Sequence, residues 1–189
     1  MENNIFKGEK IRLRAKTAAD LANDKIRFGD PDYDTETDRL SDKIYLPCSY
    51  ESRKEDFENG VRQKNTPANC NLVIETPDGV AVGSICATNV NQTDGTFSYG
   101  VGVDAKHRRR GYAAEAVKLL LNYFFNELRF HKCNVTVFDF NAGSKALHKA
   151  MGFTEEGRQR ESKFSQGAHH DIILYGITKN EFNERVRNV

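Results

Sequence analysis

The sequence predicts a mixed α/β fold of the α+β type, in which helices cover both faces of a single, largely antiparallel sheet. Two observations predict it. Short apolar or alternating segments typical of strands recur from residue 11 to residue 178, several of them separated by turn residues. Longer segments with helical spacing of apolar residues lie among them, the longest over residues 112–128. No repeat or linker divides the 189 residues, so one domain covering residues 1–189 is expected.

The N-terminal third of the chain predicts one strand, two helices and an acidic segment. Residues 11–15 alternate with period two and predict the first strand. Helices are expected over residues 18–28, after the candidate N-cap Thr17, and over residues 52–64. Between the helices, residues 30–42 contain six carboxylates and one arginine, which predicts an exposed acidic segment.

The middle of the chain predicts a three-stranded antiparallel meander. An apolar strand at residues 72–74, the turn Pro77-Asp78-Gly79 and a strand from residue 80 towards residue 87 form a hairpin. After a polar turn, residues 97–103 place large apolar side chains at odd positions and small ones at even positions. This alternation is typical of a third strand with one buried face.

The remaining elements alternate between helix and strand. Residues 112–128 carry apolar side chains at helical spacing and predict an amphipathic helix of more than four turns. A strand at residues 135–140, a helix at 144–151 and a final pair of strands from 154 to about 178 follow.

Charge and cysteine content exclude several classes of protein. The 28 Lys and Arg residues nearly balance the 27 Asp and Glu residues, so overall charge gives no argument for binding nucleic acid or an acidic membrane. No apolar run exceeds four residues, and the first residues lack signal-peptide character, so a cytoplasmic location is expected. The four cysteines are widely spaced without a Cys-x-x-Cys pair, which predicts neither a disulfide framework nor a zinc site.

The most informative segment joins the strand ending at Val103 to the helix beginning near Tyr112. A basic turn here leads into the start of the longest helix, where unpaired N–H groups and the helix dipole favour an anion. Gly111 lets the main chain approach that anion, and Ala113 keeps the first helical turn uncluttered. Three arginines add positive charge, namely Arg108, Arg109 and Arg110. The segment therefore predicts a phosphate site.

Three alternatives compete with a phosphate site. The basic run at residues 106–110 could be a nucleic-acid or nuclear-localisation patch, although it lacks interleaved aromatic residues. Gly100-x-Gly102-x-x-Ala105 matches a dinucleotide fingerprint, but five polar residues separate it from the helix. The run could also be merely solvated, yet arginines at a helix start oppose the dipole unless an anion is bound.

Two motifs carry a resemblance to a known family. Arg108-x-x-Gly111-x-Ala113, between a strand and a helix, resembles the acetyl-CoA signature of the GNAT acyltransferases. The segment from Asn141 to Phe153 resembles the next motif of that superfamily. The N-terminal segment at residues 8–14 and the tail at 167–171 are similar to the branch that contains the ribosomal-protein N-terminal acetyltransferases.

The resemblance implies acetyl-CoA as co-substrate and a sheet whose central strands splay apart. The pyrophosphate would bind the N–H groups of residues 108–113, which include Tyr112. The pantetheine would lie between the strand ending at Val103 and the strand at 135–140, and an N–H of Val101 or Val103 would bind the thioester oxygen. The glycines at positions 100 and 102 agree with this, because glycine inside a strand often marks a close ligand.

Helix geometry places two candidate cofactor-binding residues, Asn141 and Ser144, near the candidate catalytic residue His148. From Asn141 onward, Asn141, Ser144 and His148 fall within about 60° of one another at 100° per residue, which predicts a polar stripe facing the cofactor. The opposite stripe, expected to be buried, consists of Leu147, Ala150 and Met151.

His148 is the first candidate for the acid that protonates the departing thiolate. Many relatives place a tyrosine at this position, but histidine can donate a proton near neutrality. The alternative is a boundary histidine bonded to backbone. Tyr99 is a second candidate, as an acid, as a side chain lining the acceptor site or as a core residue. No base is identified, and Glu115 is interpreted as a structural helix-start carboxylate.

The expected activity is acetyl transfer to a primary amine by direct attack in a ternary complex. The acidic segment at residues 30–42 favours a small cationic amine or a protein N-terminus as acceptor, although a solvated loop is an alternative. The alternative function is a non-catalytic acyl-CoA sensor or partner-binding module. A homodimer is compatible with the resemblance. No metal is expected, because the adjacent residues His169, His170 and Asp171 point to alternate faces of a strand.

Overall fold

The computed structural model describes residues 4–20 and 49–187. These residues form one seven-stranded sheet with accompanying helices. Along the chain the strands are β1 (Arg12–Ala15), β2 (Asn71–Glu75), β3 (Ala81–Asn91), β4 (Thr96–Val103), β5 (Lys132–Phe138), β6 (Thr154–Ser165) and β7 (Ala168–Thr178). Their order across the sheet is β1-β2-β3-β4-β5-β7-β6. The pairs β2–β3, β3–β4, β5–β7 and β6–β7 are antiparallel, whereas β4–β5 is parallel. The predicted mixed, largely antiparallel sheet is confirmed.

Four α-helices accompany the sheet in the described residues. They are α1 (Tyr50–Arg62), α2 (Tyr112–Asn122), α3 (Ala142–Met151) and α4 (Lys179–Arg187). A π-helical turn, Tyr123–Glu127, continues α2, so the amphipathic segment predicted as one helix changes its winding in the last turns. None of the described helices is both long and apolar enough to cross a membrane.

The core of the sheet-bearing part lies where α2 packs on the central strands. Odd-numbered residues of β4 point to this side, and the ring of Phe97 stacks on that of Phe124 with centroids 4.3 Å apart. Leu120 and Leu121 of α2 are fully buried there. Burying such side chains stabilises the fold by roughly 1.5–3 kcal/mol each. The alternation predicted for residues 97–103 therefore does set the buried face.

Helix α4 was not predicted from the sequence. Only two of its nine residues, Phe182 and Val186, are large and apolar, and Val186 is exposed, so the periodic signal is weak. Its start nevertheless carries a capping box. Glu181 accepts the main-chain N–H of Thr178 at 2.7 Å, and the Thr178 hydroxyl lies 3.4 Å from the Glu181 nitrogen. The pattern Thr-x-x-Glu was the available signal.

Contacts divide the chain into two compact units, Met1–Arg14 with Thr66–Val189, and Ala15–Asn65. The smaller unit contains α1, whose N-cap Ser49 accepts the N–H of Ser52 at 3.2 Å. The predicted acidic segment, residues 30–42, lies outside the described residues, as does most of the helix predicted at 18–28. A single domain remains a prediction.

Candidate active site

The centre of the sheet is open between β4 and β5. These strands pair only at Thr96↔Lys132 and Phe97↔Cys133. Beyond those two positions β4 continues to Val103 and β5 continues to Phe138 without further pairing between them. This is the splayed arrangement expected from the sequence.

The main-chain direction of β4 aims two N–H groups into this gap. The N–H of Asp104, just beyond β4, bonds the carbonyl of Val82 on the β3 side at 2.9 Å. Because successive N–H groups of a strand point to opposite sides, Gly102 also faces β3, and Val101 and Val103 face β5. The two donors expected to contact a thioester oxygen therefore point to the unpaired edge.

Exposure marks the same gap. Gly100 on β4 and Thr136 on β5 are exposed although both strands lie in the interior of the sheet order. A Cβ added at Gly100 would meet only the Cys86 sulfur, at 3.4 Å, which is an ordinary van der Waals distance. The gap between the central strands is thus accessible from solvent.

The loop before α2 has the conformation of an anion site. Arg109 and Gly111 both adopt the left-handed region, with φ of 62° and 85°. Alternation of left- and right-handed residues is the geometry in which successive N–H groups form a concave anion site. The first helical hydrogen bond joins the N–H of Glu115 to the carbonyl of Gly111, and no side chain caps the helix start. The N–H groups of Tyr112 and Ala113 therefore have no intrahelical acceptor.

The three arginines of the loop differ in their contacts. Arg108 donates through Nε to the carbonyl of Val103 at 3.1 Å, which ties the loop to the open end of β4. Arg110 reaches the carbonyl of Lys106 at 3.5 Å, and the side chain of Arg109 is exposed. Arg108 thus stands beside the gap, whereas the other two line the loop surface.

Glu115 has the structural role that the sequence predicted, but in a different place. Its carboxylate accepts the main-chain N–H groups of Glu9 at 2.7 Å and Lys10 at 2.9 Å. It therefore anchors the N-terminal turn, residues 7–10, to the start of α2. The N-terminal segment at residues 8–14 contains Lys10, but the sequence predicted neither a role for this residue nor its long-range contact with Glu115.

Tyr99 and His148 form a buried hydrogen-bonded pair beside the gap. The Tyr99 hydroxyl lies 2.8 Å from His148 Nε2, and His148 Nδ1 lies 2.8 Å from the carbonyl oxygen of Ser144. Because a carbonyl only accepts, Nδ1 carries the hydrogen and the neutral ring accepts the Tyr99 O–H at Nε2. The pair is packed against Phe153 and Tyr175, whose ring stacks on His148 at 5.9 Å.

Burial keeps both members of the pair uncharged near neutral pH. It lowers the pKa of His148 below its ordinary value of 6.5, partly offset by the hydrogen bond to Ser144. It also raises the pKa of Tyr99 well above 10.0. The transferable hydrogen of the neutral pair is consequently on the Tyr99 oxygen.

The buried stripe predicted for α3 is correct at two of its three positions and wrong at the third. His148, assigned to the polar stripe, is 4% exposed and is the buried residue of the helix, whereas Ala150 is exposed. Leu147 and Met151 are partly buried. The reason is that His148 meets Tyr99 and the Ser144 carbonyl, which satisfy both ring nitrogens and allow a polar side chain to face the core.

Asn141 and Ser144 belong to the start of α3. Asn141 Oδ1 accepts the N–H of Ser144 at 2.9 Å and caps the helix. The Ser144 hydroxyl lies 3.3 Å from His148 Nδ1. The structure thus links Asn141, Ser144, His148 and Tyr99 in one chain of contacts from the start of α3 to β4.

The histidines of β7 lie apart from this chain. His170 Nδ1 is 3.3 Å from Asp139 Oδ1, and Asp171 accepts Arg158 at 3.0 Å. Within residues 4–20 and 49–187, no group of three or more His, Cys, Asp or Glu side chains is arranged to hold a metal ion.

Sequence comparisons identify relatives over the whole chain. The family profile described as an acetyltransferase (GNAT) domain matches residues 10–154. The chain is 32% identical over 182 residues to an uncharacterized N-acetyltransferase derived from the SPbeta prophage of Bacillus subtilis, covering 96% of this chain and 97% of that protein. It is 24% identical over 114 residues to the spermidine N(1)-acetyltransferase of Vibrio cholerae, covering 60% of this chain and 66% of that protein.

A solved structure shares the fold. The crystal structure of spermidine N-acetyltransferase from Vibrio cholerae in complex with CoA and spermine superposes with a TM-score of 0.76 at 20% identity, covering 93% of this chain and 99% of that chain. The resemblance drawn from the two motifs is confirmed by the family match and the full-length relative. The chain therefore belongs to the GNAT acetyltransferases, as an N-acetyltransferase whose co-substrate is acetyl-CoA.

Proposed function

We propose that the chain binds acetyl-CoA in the β4–β5 gap and transfers the acetyl group directly to a primary amine in a ternary complex. The observation that carries this proposal is the unpaired edge of β4, with the N–H groups of Val101 and Val103 aimed into an exposed gap. The loop at residues 108–113 follows this edge closely, and the N–H groups of Tyr112 and Ala113 at its end have no intrahelical acceptor and can donate to the pyrophosphate.

Acetyl-CoA supplies the activated acetyl group when bound. In the transfer, the amine nitrogen forms a bond to the acetyl carbon, the carbon–sulfur bond breaks, the amine loses a proton and the thiolate gains one. The N–H of Val101 or Val103 stabilises the negative charge that develops on the acetyl oxygen. Arg108 fixes the carbonyl of Val103 and so holds this part of β4 in place.

The Tyr99–His148 pair is proposed to protonate the departing thiolate. The pair is neutral, so the hydroxyl hydrogen of Tyr99 is the one that can move, and His148 Nε2 holds that hydroxyl in position. Asn141 and Ser144 act through His148, because the Ser144 carbonyl fixes which ring nitrogen carries the hydrogen. If the Tyr99–His148 pair served only to pack the core, substituting either residue would leave the rate of acetyl transfer unchanged.

The proposed acceptor is a small cationic amine, with a protein N-terminus as the second candidate. The support is the sequence of residues 30–42, which is rich in carboxylates, and the similarity of the chain to the spermidine N(1)-acetyltransferase of Vibrio cholerae. A cationic amine would be attracted to such a segment. Neutralising Asp32, Asp34 and Glu36 should then raise KM for a cationic acceptor, and an unchanged KM would remove the segment from acceptor binding.

Thiol release from acetyl-CoA with a panel of amines tests the proposed function. We expect turnover with spermidine, spermine or a basic peptide N-terminus, and initial-velocity lines that intersect, as a ternary complex requires. Parallel lines would instead indicate an acetylated enzyme. Binding of acetyl-CoA without turnover on a broad panel would favour the non-catalytic sensor.

Three further expectations remain predictions. A cytoplasmic location stays a prediction from the sequence, and the balanced charge gives no reason to expect binding to nucleic acid or to an acidic membrane. Sedimentation velocity would decide between a monomer and a homodimer. Salt-dependent association with duplex DNA or RNA would overturn the expectation about nucleic acid.

A further inference from the structure

We propose that Lys10, from the N-terminal turn, binds the pyrophosphate of acetyl-CoA at the start of α2. The inference rests on the proposed function, because it takes the loop at residues 108–113 as the phosphate site. It adds a cation that the sequence motifs of the loop do not contain.

The position of Lys10 is the first argument. A Cβ added at Gly111, the N-cap of α2, would lie 3.2 Å from Lys10 Nζ and 3.9 Å from its Cδ. The ammonium group therefore lies next to the left-handed residue from which the free N–H groups of the helix begin. The residue itself is exposed, so a ligand at the helix start can reach it.

The second argument is that this position is held by specific contacts. The Glu115 carboxylate, 105 residues away in sequence, accepts the N–H of Lys10, and it also accepts the N–H of Glu9. A Cβ at Gly8 would lie 2.5 Å from Glu115 Oε1, so only glycine leaves room for this carboxylate. The main chain of the N-terminal turn is thus fixed against α2, and a lysine is presented at the helix start.

Electrostatics supplies the third argument. The Lys10 ammonium lies beside Gly111, at the positive end of the α2 dipole, and Gly111 directly follows three arginines in the sequence. This arrangement of positive charge is unfavourable by itself. Glu115 offsets one charge, but its oxygens already accept two main-chain N–H groups. The ion pairs found among the described residues do not include Lys10. A pyrophosphate would turn this repulsion into attraction.

Calorimetric titration of Lys10 variants with two ligands tests the inference. Acetyl-CoA carries both the pyrophosphate and the 3′-phosphate, whereas acetyl-3′-dephospho-CoA carries the pyrophosphate alone. The variants are Lys10→Met, which removes the charge, and Lys10→Arg, which keeps it. Lys7→Met, an exposed lysine of the same turn, is the matched control. Thermal unfolding of each variant verifies that it is folded.

We expect Lys10→Met to raise the Kd of both ligands about tenfold, Lys10→Arg to stay close to the parent, and Lys7→Met to change neither value. The inference is overturned if Lys10→Met behaves like Lys7→Met. It is also overturned if the loss is confined to acetyl-CoA, because Lys10 would then bind the 3′-phosphate. If the folded parent protein did not bind acetyl-CoA, the proposed function would be overturned as well. This outcome is distinguishable from the other two, because in both of those the parent protein still binds acetyl-CoA.

Discussion

The two edges of strand β4 have different partners along the same stretch of chain. One edge pairs with β3 at six consecutive positions, from Ser98 to Val103, whereas the other pairs with β5 at only two. Strand β5 is itself paired with β7 along its whole length, from Lys132 to Phe138. Pairing with β3 therefore stabilises β4, and pairing with β7 stabilises β5. The gap between β4 and β5 can stay open without disrupting either pair.

This difference separates stability from function within one strand. The N–H groups that face β3 are consumed by the sheet and contribute to its stability. Those of Val101 and Val103 face β5 without pairing to it, and we propose that they bind a ligand. Since both sets alternate along β4, neighbouring residues have opposite roles, and substitutions at adjacent positions can distinguish them.

Proline at positions 101 and 102 gives the largest expected effect. Val101→Pro removes an N–H that faces the gap, so we expect a folded protein whose kcat falls about 100-fold or more. Gly102→Pro removes an N–H that faces β3 and leaves its acceptor unpaired, which should lower the free energy of unfolding by about 1–3 kcal/mol. Urea unfolding and thiol-release rates check both. Equal destabilisation by the two substitutions would contradict the difference between the edges.

The next largest expected effect is a loss of catalytic rate when the Tyr99–His148 pair is altered. Tyr99→Phe and His148→Ala should each lower kcat at least tenfold with little change in acetyl-CoA affinity, because each interrupts proton delivery. Tyr99→Phe also leaves Nε2 of His148 unpaired in a buried site, which should cost about 1–3 kcal/mol of stability. Tyr175→Phe, on the other ring that stacks on His148, is the control. An unaltered kcat in both variants would assign the pair to packing.

A smaller effect is expected where the N-terminal turn meets the start of α2. Gly8→Ala should displace the Glu115 carboxylate and raise the Kd of acetyl-CoA severalfold, because Lys10 loses its support. Gly60→Ala is the matched control, since a Cβ there meets nothing within 4 Å. If Gly8→Ala bound acetyl-CoA as well as the control does, the turn would have no part in the site.

The mildest effect is a pH dependence of stability. The pKa of His148 is lower in the fold than in the unfolded chain, so the unfolded chain binds more protons between the two values. Stability is then complete above pH 6.5, the ordinary value, and declines as the pH falls below it. His148→Gln should flatten the curve in that window. A parent protein whose stability does not change between pH 7 and the pKa of the folded state would contradict the burial argument.

Much of the sheet and of the loop before α2 could be predicted because their signals are local. The alternation at residues 97–103, the turn at 77–79 and the helix start at Gly111 are each visible within a few residues. The face of α3 could not be predicted in this way. His148 is buried because it finds partners in Tyr99 and the Ser144 carbonyl, and hydrophobic periodicity assigns a polar residue to the surface.

The contact between the N-terminal turn and α2 is hidden from the sequence for a related reason. Glu115 was identified as a structural carboxylate from its position in the first helical turn, but the N–H groups that donate to it lie more than 100 residues earlier. No local pattern specifies such a contact. Only the folded chain shows that Lys10 and Gly111 are neighbours.

Calorimetric titration of the parent protein with acetyl-CoA, and separately with NADH, tests the central claim most directly. Both ligands carry a pyrophosphate, but only acetyl-CoA has a pantetheine arm and thioester to occupy the gap beside Val101 and Val103. The account predicts saturable micromolar binding of acetyl-CoA and no response to NADH. A folded protein that does not bind acetyl-CoA, or that binds both ligands equally, would contradict it.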